Sequence, residues 1–168
     1  KLTGGLAAPD RLGEEVELAI PAGCQYGQQV RVAGRGEAGM NGAAPGDLIA
    51  TVRVEPHEYF ERDGDHLHVR ANITITQAAL GADIKVEGIL PDELVPVRVP
   101  AGCQPEQVIR VKGYGLPNFR KPRNRGDMLV HISVVVPKKL SRTAKKLLAD
   151  LENELGTEES KRRVALRD

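Results

Sequence analysis

The chain has 168 residues and a formal net charge of +1 at pH 7, so no global positive field attracts nucleic acid or an anionic membrane. It contains no Trp, three Tyr and two Phe, which leaves few side chains for stacking on bases. Because no apolar run approaches the roughly 18–20 residues that span a bilayer, the composition argues against both nucleic acid and membrane as partners.

Alternating apolar residues, separated by turns that contain Gly or Pro, predict strands along most of the chain. The predicted strands cover residues 15–20, 30–32, 47–54, 66–76, 94–99 and 128–136, and a further strand begins at Ile84. The first strand places Val16, Leu18 and Ile20 on one face. One helical turn is expected at residues 77–81, where Gly81 ends it.

Near the C-terminus, the spacing of the apolar residues changes from the alternation of a strand to the spacing of a helix. After a predicted N-cap at Ser141, apolar residues recur at helical spacing until Gly156. These residues are Ala144, Leu147, Leu148, Leu151 and Leu155. Their apolar stripe must be buried against other groups, either on the sheet of the same chain or on a second chain.

An internal repeat organises the strands. Residues 21–36 match residues 100–115 at ten of sixteen positions after a shift of 79, and a one-residue insertion then brings Gly46-Asp47 onto Gly126-Asp127. Such self-similarity indicates two related units. The glycines of the motif at residues 34–39 are interpreted as tight turns, because no helix follows to hold a dinucleotide.

The repeat and the changes in composition divide the chain into six segments. They are a flexible lead-in (1–13), a first β domain (14–57), a linker (58–65), a second β domain (66–137), a helix (138–156) and a charged tail (157–168). Only the second copy is preceded by additional predicted strands. Since the chain also starts with Lys1, the first domain is expected to be a truncated part of a longer protein.

Motifs for catalysis and metal binding are weak. His66 and His68 lie on the polar face of one predicted strand, and a zinc site needs three or four ligands, so both are interpreted as solvated histidines. No pattern pairs a nucleophile with a base. The sequence predicts neither an enzyme nor a metal site.

The cysteines and the basic loop also favour ordinary structural roles. Cys24 and Cys103 occupy equivalent positions in the two copies, which predicts two buried thiols in a reduced, cytoplasmic setting. Four cations follow the second glycine motif, and they are interpreted as a solvated loop. They are Arg120, Lys121, Arg123 and Arg125.

Several motifs in order resemble the C-terminal substrate-binding region of DnaJ-type co-chaperones. They are Ile20-Pro-Ala-Gly, Arg31-Val-Ala-Gly-x-Gly-Glu, Gly46-Asp-Leu, Pro56-His-x-x-Phe60-x-Arg-Asp-Gly-Asp-x-Leu67, Ala78-Ala-Leu-Gly81 and Gly126-Asp127. The resemblance covers roughly residues 15–155. It implies an all-β fold of two tandem β-sandwich-like domains, the first one truncated, followed by an amphipathic C-terminal helix that forms a homodimer.

The resemblance also implies a function. The family takes part in protein folding and the stress response by binding unfolded polypeptides in an apolar groove and delivering them to the seventy-kilodalton heat-shock chaperone. Carried over to this sequence, the groove residues are Val16, Leu18 and Phe60. The dimerisation residues are Leu147, Leu148, Leu151 and Leu155.

The sequence departs from the longer members of that family. It has no His-Pro-Asp tripeptide and no CxxCxGxG repeats, so we expect neither a J domain nor the family's zinc module, and no cofactor in this chain. The alternative from another class is a β-sandwich carbohydrate-binding domain. That reading needs exposed aromatic platforms, for which five aromatic residues are few.

Overall fold

The computed structural model describes residues 18–37, 39 and 43–155, which form an all-β fold with two helices. The chain divides into two compact units, Lys1–Val134 and Val135–Asp168. The strands are β1 (Gln29–Val32), β2 (Leu48–Thr51), β3 (Phe60–Asp63), β4 (His66–Thr74), β5 (Ala82–Glu87), β6 (Leu94–Val99), β7 (Val108–Val111) and β8 (Met128–Val135). The helices are α1 (Ile75–Leu80) and α2 (Arg142–Leu155).

The strands form one sheet of four strands and two antiparallel pairs. The larger sheet has the order β3-β4-β8-β7, while β1 pairs with β2 and β5 pairs with β6. The outer strands β3 and β7 pair antiparallel with β4 and β8. Both repeats lie in the first unit, and the division into tandem domains stays a prediction.

The buried core consists of the apolar residues that alternate with polar ones along the strands. In β4 every second side chain is buried, namely Leu67, Val69, Ala71 and Ile73. The equivalent alternation buries Val95, Val97 and Val99 of β6 and Met128, Val130 and Ile132 of β8. Three strands and α1 thus share one hydrophobic cluster, whose burial from water stabilises the first unit.

The repeat is confirmed at the level of single hydrogen bonds. Gln28 N donates to Gln25 O at 3.2 Å in the first copy, and Gln107 N donates to Gln104 O at 3.3 Å in the second. Further along, Val52 N donates to Gln28 O at 2.8 Å, matching the 2.9 Å bond from Ile132 N to Gln107 O. The offset has changed from 79 to 80 residues, as the predicted insertion requires.

An Arg–Asp pair closes the glycine loop of each copy. In the second copy, Arg110 Nε donates to Asp127 Oδ2 at 2.6 Å, and Gly113 N donates to the other carboxylate oxygen at 2.9 Å. Arg31, Gly34 and Asp47 make the same two bonds in the first copy, at 2.6 and 2.9 Å. The repeated Arg and Asp are therefore structural partners that hold the loop between them.

These pairs predict a pH dependence of stability. The backbone hydrogen bond from Gly113 and then the Arg110 guanidinium hold the pKa of Asp127 below its ordinary value of 3.8, and Gly34 and Arg31 lower the pKa of Asp47 in the same way. A carboxyl whose pKa is lowered by folding stabilises the fold above the unfolded pKa, and this contribution is lost as pH falls through the folded value.

We therefore expect Asp127→Asn to lower Tm by a few degrees at neutral pH, and we expect this difference from wild type to shrink as the pH falls below the ordinary value of 3.8. Thermal unfolding followed by circular dichroism between about pH 2 and pH 7 checks this, with Asp150→Asn on the exposed helix as the control. A Tm difference between wild type and Asp127→Asn that stays constant across this range would contradict the assignment.

The structure adds a strand and shortens another. Residues 58–65, predicted as a linker between domains, contain β3, because residues 60–63 pair with β4 in register from Phe60 opposite Val69 to Asp63 opposite His66; the division into domains there stays a prediction. The strand predicted to end at residue 76 ends at Thr74 instead. There a capping box begins α1, since Gln77 N donates to Thr74 Oγ1 and Thr74 N donates to Gln77 Oε1.

The first predicted strand is not formed where it can be examined. Residues 18–20 have no strand assignment, and residues 15–17 lie outside the described part. In the second copy, β6 pairs along its whole length with β5. The described part of the first copy offers no counterpart of β5, so residues 18–20 have no ladder to join. The predicted lead-in and charged tail also fall outside the described residues.

Candidate functional site

Phe60 anchors the candidate site, and the four-stranded sheet positions it. It opens β3, lies opposite Val69 of β4, and packs half-buried against the hydrophobic cluster formed by the second copy. The sequence pattern predicts Phe60 beyond the last strand of the first β domain. The structure instead makes it part of the sheet that continues into the second copy.

The residues before Phe60 form one wall of an open depression. It has a volume of about 680 Å³ and is lined by residues 57–60, 69–70 and 86–89; it is named the Phe60 depression below. Tyr59 leaves 65% of its surface exposed, whereas Val69 is buried and Val86 and Ile89 are half-buried. Apolar and aromatic surface is thus presented to solvent between the edge strand β3 and the β5–β6 pair.

His57 orders the aromatic wall of the depression. Its ring lies 5.0 Å from the ring of Phe60 and 6.1 Å from that of Tyr59, both in tilted arrangements. Tyr59 N donates to His57 Nδ1 at 3.2 Å. The Pro-His-x-x-Phe motif therefore builds a compact aromatic group, in which His57 holds the exposed Tyr59 next to Phe60.

The edge of the sheet adds a second recognition element. β3 is the outermost strand of its sheet, so one side of its backbone has no strand partner among the described residues. An exposed strand edge can bind an extended polypeptide through main-chain hydrogen bonds, with side chains entering neighbouring pockets. Edge and depression meet at Phe60, which belongs to both.

The other predicted groove residues do not join this site. Val16 lies outside the described residues, and Leu18 is half-buried without strand structure. Leu18 is not among the described residues that line the Phe60 depression. The grouping of Val16, Leu18 and Phe60 stays a prediction, and Tyr59 is the exposed neighbour of Phe60 that sequence reasoning passed over.

Arg62 is a second residue that the motif contains and that the sequence analysis did not assign. Its guanidinium donates to Cys24 O at 2.6 Å, to Gly23 O at 3.0 Å and to Gly64 O at 2.8 Å. The bonds to Cys24 O and Gly23 O join β3 to the Pro-Ala-Gly-Cys turn of the first copy. The sequence motif around Arg62 gives no sign of a partner almost forty residues away.

The predicted solvated histidines are instead bonded within the sheet. His66 Nδ1 accepts a hydrogen bond from Asp127 N at 2.9 Å, and His68 Nδ1 lies 2.8 Å from His131 Nε2. All three rings are half-buried, and the rings of His68 on β4 and His131 on β8 are stacked with their centroids 5.1 Å apart. The interpretation of His66 and His68 as solvated was wrong.

The basic loop contains one cation with a structural role. Arg125 forms two bonds to the Glu93 carboxylate, at 2.6 and 3.1 Å, and donates to Gly115 O at 2.9 Å. The hydrogen bond from Arg125 lowers the pKa of Glu93. Arg120, Lys121 and Arg123 are exposed, as the sequence predicts for a solvated loop.

Helix α2 carries an apolar stripe, most of which is exposed. Ser141 begins it as predicted, since Ala144 N donates to Ser141 Oγ at 3.1 Å. Exposure is 63% for Leu147, 49% for Leu151 and 74% for Leu155, while Leu148 is half-buried. No residue of α2 is fully buried. The predicted end of the helix at Gly156 lies outside the described residues.

Two features are absent from the described part of the chain. Within residues 18–37, 39 and 43–155, no three His, Cys, Asp or Glu side chains gather where they could hold a metal ion. No helix in the same residues is long and apolar enough to cross a membrane. Cys24 and Cys103 are free and buried, as predicted.

Comparison with known proteins identifies the class to which this β-rich, repeat-built fold belongs. Residues 9–137 match the DnaJ C terminal domain family. Since this match covers most of the chain, the chain belongs to the DnaJ C-terminal domain family. The resemblance found in the sequence motifs is thereby confirmed.

Individual relatives carry the same name. The chain is 44% identical over 147 residues to the chaperone protein DnaJ of Oceanobacillus iheyensis, covering 88% of this chain and 38% of that protein. It is 43% identical over 150 residues to the chaperone protein DnaJ of Bacillus cytotoxicus, covering 89% and 40%. The chain thus spans well under half the length of these relatives, all of which are named as chaperones.

Proposed function

We propose that this chain is the polypeptide-binding and dimerising part of a DnaJ-type co-chaperone. In this proposal it binds unfolded polypeptides and, as part of a dimer, brings them to the seventy-kilodalton heat-shock chaperone in the cytoplasm. It carries out no catalysis and needs no cofactor of its own. The observation that carries the proposal is the exposed Tyr59 beside Phe60, at an edge strand that borders an open depression with both apolar and charged side chains in its lining.

The chemistry of this site suits a client that has no fixed sequence. Main-chain hydrogen bonds to β3 would be available to any extended segment. Apolar side chains of the segment would enter the Phe60 depression and be removed from water together with Tyr59 and Ile89. Each such contact is non-directional, so the site would favour apolar segments without selecting one sequence.

Two features support dimerisation through Leu147, Leu148, Leu151 and Leu155. These leucines share one stripe of α2, and three of them are largely exposed in the single chain. A helix of 14 residues is only marginally stable by itself in water. Burial of the stripe against a second copy would stabilise the helix and link two client sites in one particle.

The client site is tested by replacing Tyr59 with Ala. We expect this change to weaken binding of a fluorescently labelled, reduced and carboxymethylated model protein, which stays unfolded in buffer, by about fivefold to tenfold. Fluorescence anisotropy titration measures the affinity. Tyr59 is exposed, so its removal affects the contact surface more than the core.

Tyr26→Ala is the matched control, because Tyr26 is also exposed, at 69%, and does not line the depression. It should change the affinity by less than about twofold. Phe60→Ala is expected to weaken binding at least as much as Tyr59→Ala, with an added loss of stability from its core packing. Equal affinities for wild type, Tyr59→Ala and Tyr26→Ala would contradict the assignment of the Phe60 depression as the client site.

A further inference from the structure

The charges of α2 are arranged against its own dipole. Its first half carries Arg142, Lys145 and Lys146, and its second half carries Asp150, Glu152 and Glu154. All six are exposed. Cations at the N-terminal end of a helix and anions at its C-terminal end are unfavourable, because these ends carry positive and negative partial charges. The arrangement gives the isolated helix no electrostatic advantage.

Among the described residues, these charged side chains of α2 form no salt bridge. The salt bridges found in the described part of the structure join Arg31 to Asp47, His68 to Asp63, Arg110 to Asp127 and Arg125 to Glu93. None of them involves α2. A second helix that runs in the opposite direction would supply complementary charges along the whole length and would oppose the dipole of the first.

The apolar stripe sets the register of such a pair. Ala144, Leu148, Leu151 and Leu155 follow one another at spacings of four, three and four, which is the pattern of a coiled-coil seam. In an antiparallel pair, Leu148 can lie opposite Leu151 of the partner subunit, and Ala144 opposite Leu155 of the partner subunit. Lys145 then flanks the seam next to Glu152 of the partner subunit, and symmetry makes this contact twice.

A parallel pair does not offer this match. It would set the basic halves of the two helices side by side, and likewise the acidic halves. Lys145 and Glu152 lie seven residues apart on the same side of the seam, so in parallel helices neither would meet the opposite charge of the other. Like charges held next to each other destabilise a helix pair, so the charge pattern selects the antiparallel arrangement.

We propose that α2 pairs antiparallel with α2 of a second copy of this chain, with Lys145 of each copy bound to Glu152 of the partner subunit. The inference rests on the proposed dimer and specifies its geometry. The leucine stripe provides the attraction, and the two Lys–Glu contacts select the direction and register. Because these contacts are exposed at the rim, salt screens them.

Charge reversal tests this arrangement. Lys145→Glu and Glu152→Lys should each raise the dimer dissociation constant about tenfold at low salt, since each change turns two attractive contacts into repulsive ones. The double variant Lys145→Glu/Glu152→Lys should return to within about twofold of wild type. Lys146→Glu is the control, because Lys146 carries the same charge but lies away from the seam. Sedimentation velocity at low and high salt gives the constants.

Cysteine cross-linking tests the relative direction of the two α2 helices independently of whether the dimer forms. Cys24 and Cys103 are buried, so engineered thiols on α2 react without competition from them. A mixture of Ala144→Cys and Leu155→Cys chains should form disulfide-linked pairs under mild oxidation, whereas Ala144→Cys alone should not. Cross-linking of Ala144→Cys with itself in a dimeric protein overturns the antiparallel geometry and leaves the dimer standing. If the wild-type chain stays monomeric, both the proposed dimerisation and the proposed antiparallel pairing are wrong.

Discussion

Replacing Gly126 with Ala is expected to destabilise the first unit by about 3 kcal/mol, whereas the same change at Gly46 should stay within about 1 kcal/mol of wild type. The two glycines occupy equivalent places in the repeat, each just before the Asp of an Arg–Asp pair. Neither is among the glycines with positive φ. The difference therefore comes from what surrounds them and not from their backbone conformation.

The carbonyl of Asp65 lies against Gly126 and leaves no space for a side chain. A Cβ there would lie inside van der Waals contact with Asp65 O and 3.0 Å from His66 N. Asp65 O cannot easily move away, because it accepts a hydrogen bond from Leu116 N at 2.8 Å. At Gly46 the nearest atom to an added Cβ would be Glu37 O, at an ordinary distance of 3.8 Å.

Thermal unfolding followed by circular dichroism distinguishes the two variants. For a chain of this length, 3 kcal/mol corresponds to a drop in Tm of about 6–12 °C. Gly126→Ala should show this drop, and Gly46→Ala should show little change. Similar losses in both variants would mean that the loops, and not the Asp65 contact, decide how an added methyl group is tolerated.

The contrast between Gly126 and Gly46 shows what sequence patterns can predict in this protein. The repeat fixes which residues are equivalent, and the structure confirms the shared hydrogen bonds and the change of offset from 79 to 80. The period-two alternation likewise predicts the buried residues of β4. Both are local or internal properties of the chain, so a single sequence contains them.

Contacts between distant segments were not predictable in the same way. The strand character of residues 60–63 depends on pairing with β4, and residues 58–65 by themselves are charged and turn-forming. The bonds from Arg62 to the turn at Gly23 and Cys24 join residues far apart in sequence. Periodicity carries no signal for such pairs, and this is why the strand that begins at Phe60 was not predicted.

One local signal was available and was passed over. Thr74 and Gln77 stand three residues apart before an apolar turn, which is the spacing of a capping box. The alternation of the long strand through Thr76 favoured continued β structure there. The chain forms α1 there because the capping box supplies hydrogen-bond partners for backbone N–H groups at the start of the helix.

Introducing a charge into the leucine stripe is expected to have the largest effect on assembly. Leu151→Asp should weaken dimerisation by at least about a hundredfold, because an uncompensated carboxylate would be removed from water on both sides of the symmetric contact. Leu151 is 49% exposed in the single chain. The change should therefore act on the dimer and have little effect on the folding of either unit.

Asn153→Asp adds the same charge to the same helix, but on the face that carries no leucine, and is the matched control. Multi-angle light scattering should give the mass of a dimer for wild type and for Asn153→Asp, and that of a single chain for Leu151→Asp at micromolar concentration. A dimeric Leu151→Asp protein would show that α2 does not carry the contact. In that case the exposed leucines would need another explanation, and the two copies would have to meet through residues outside α2.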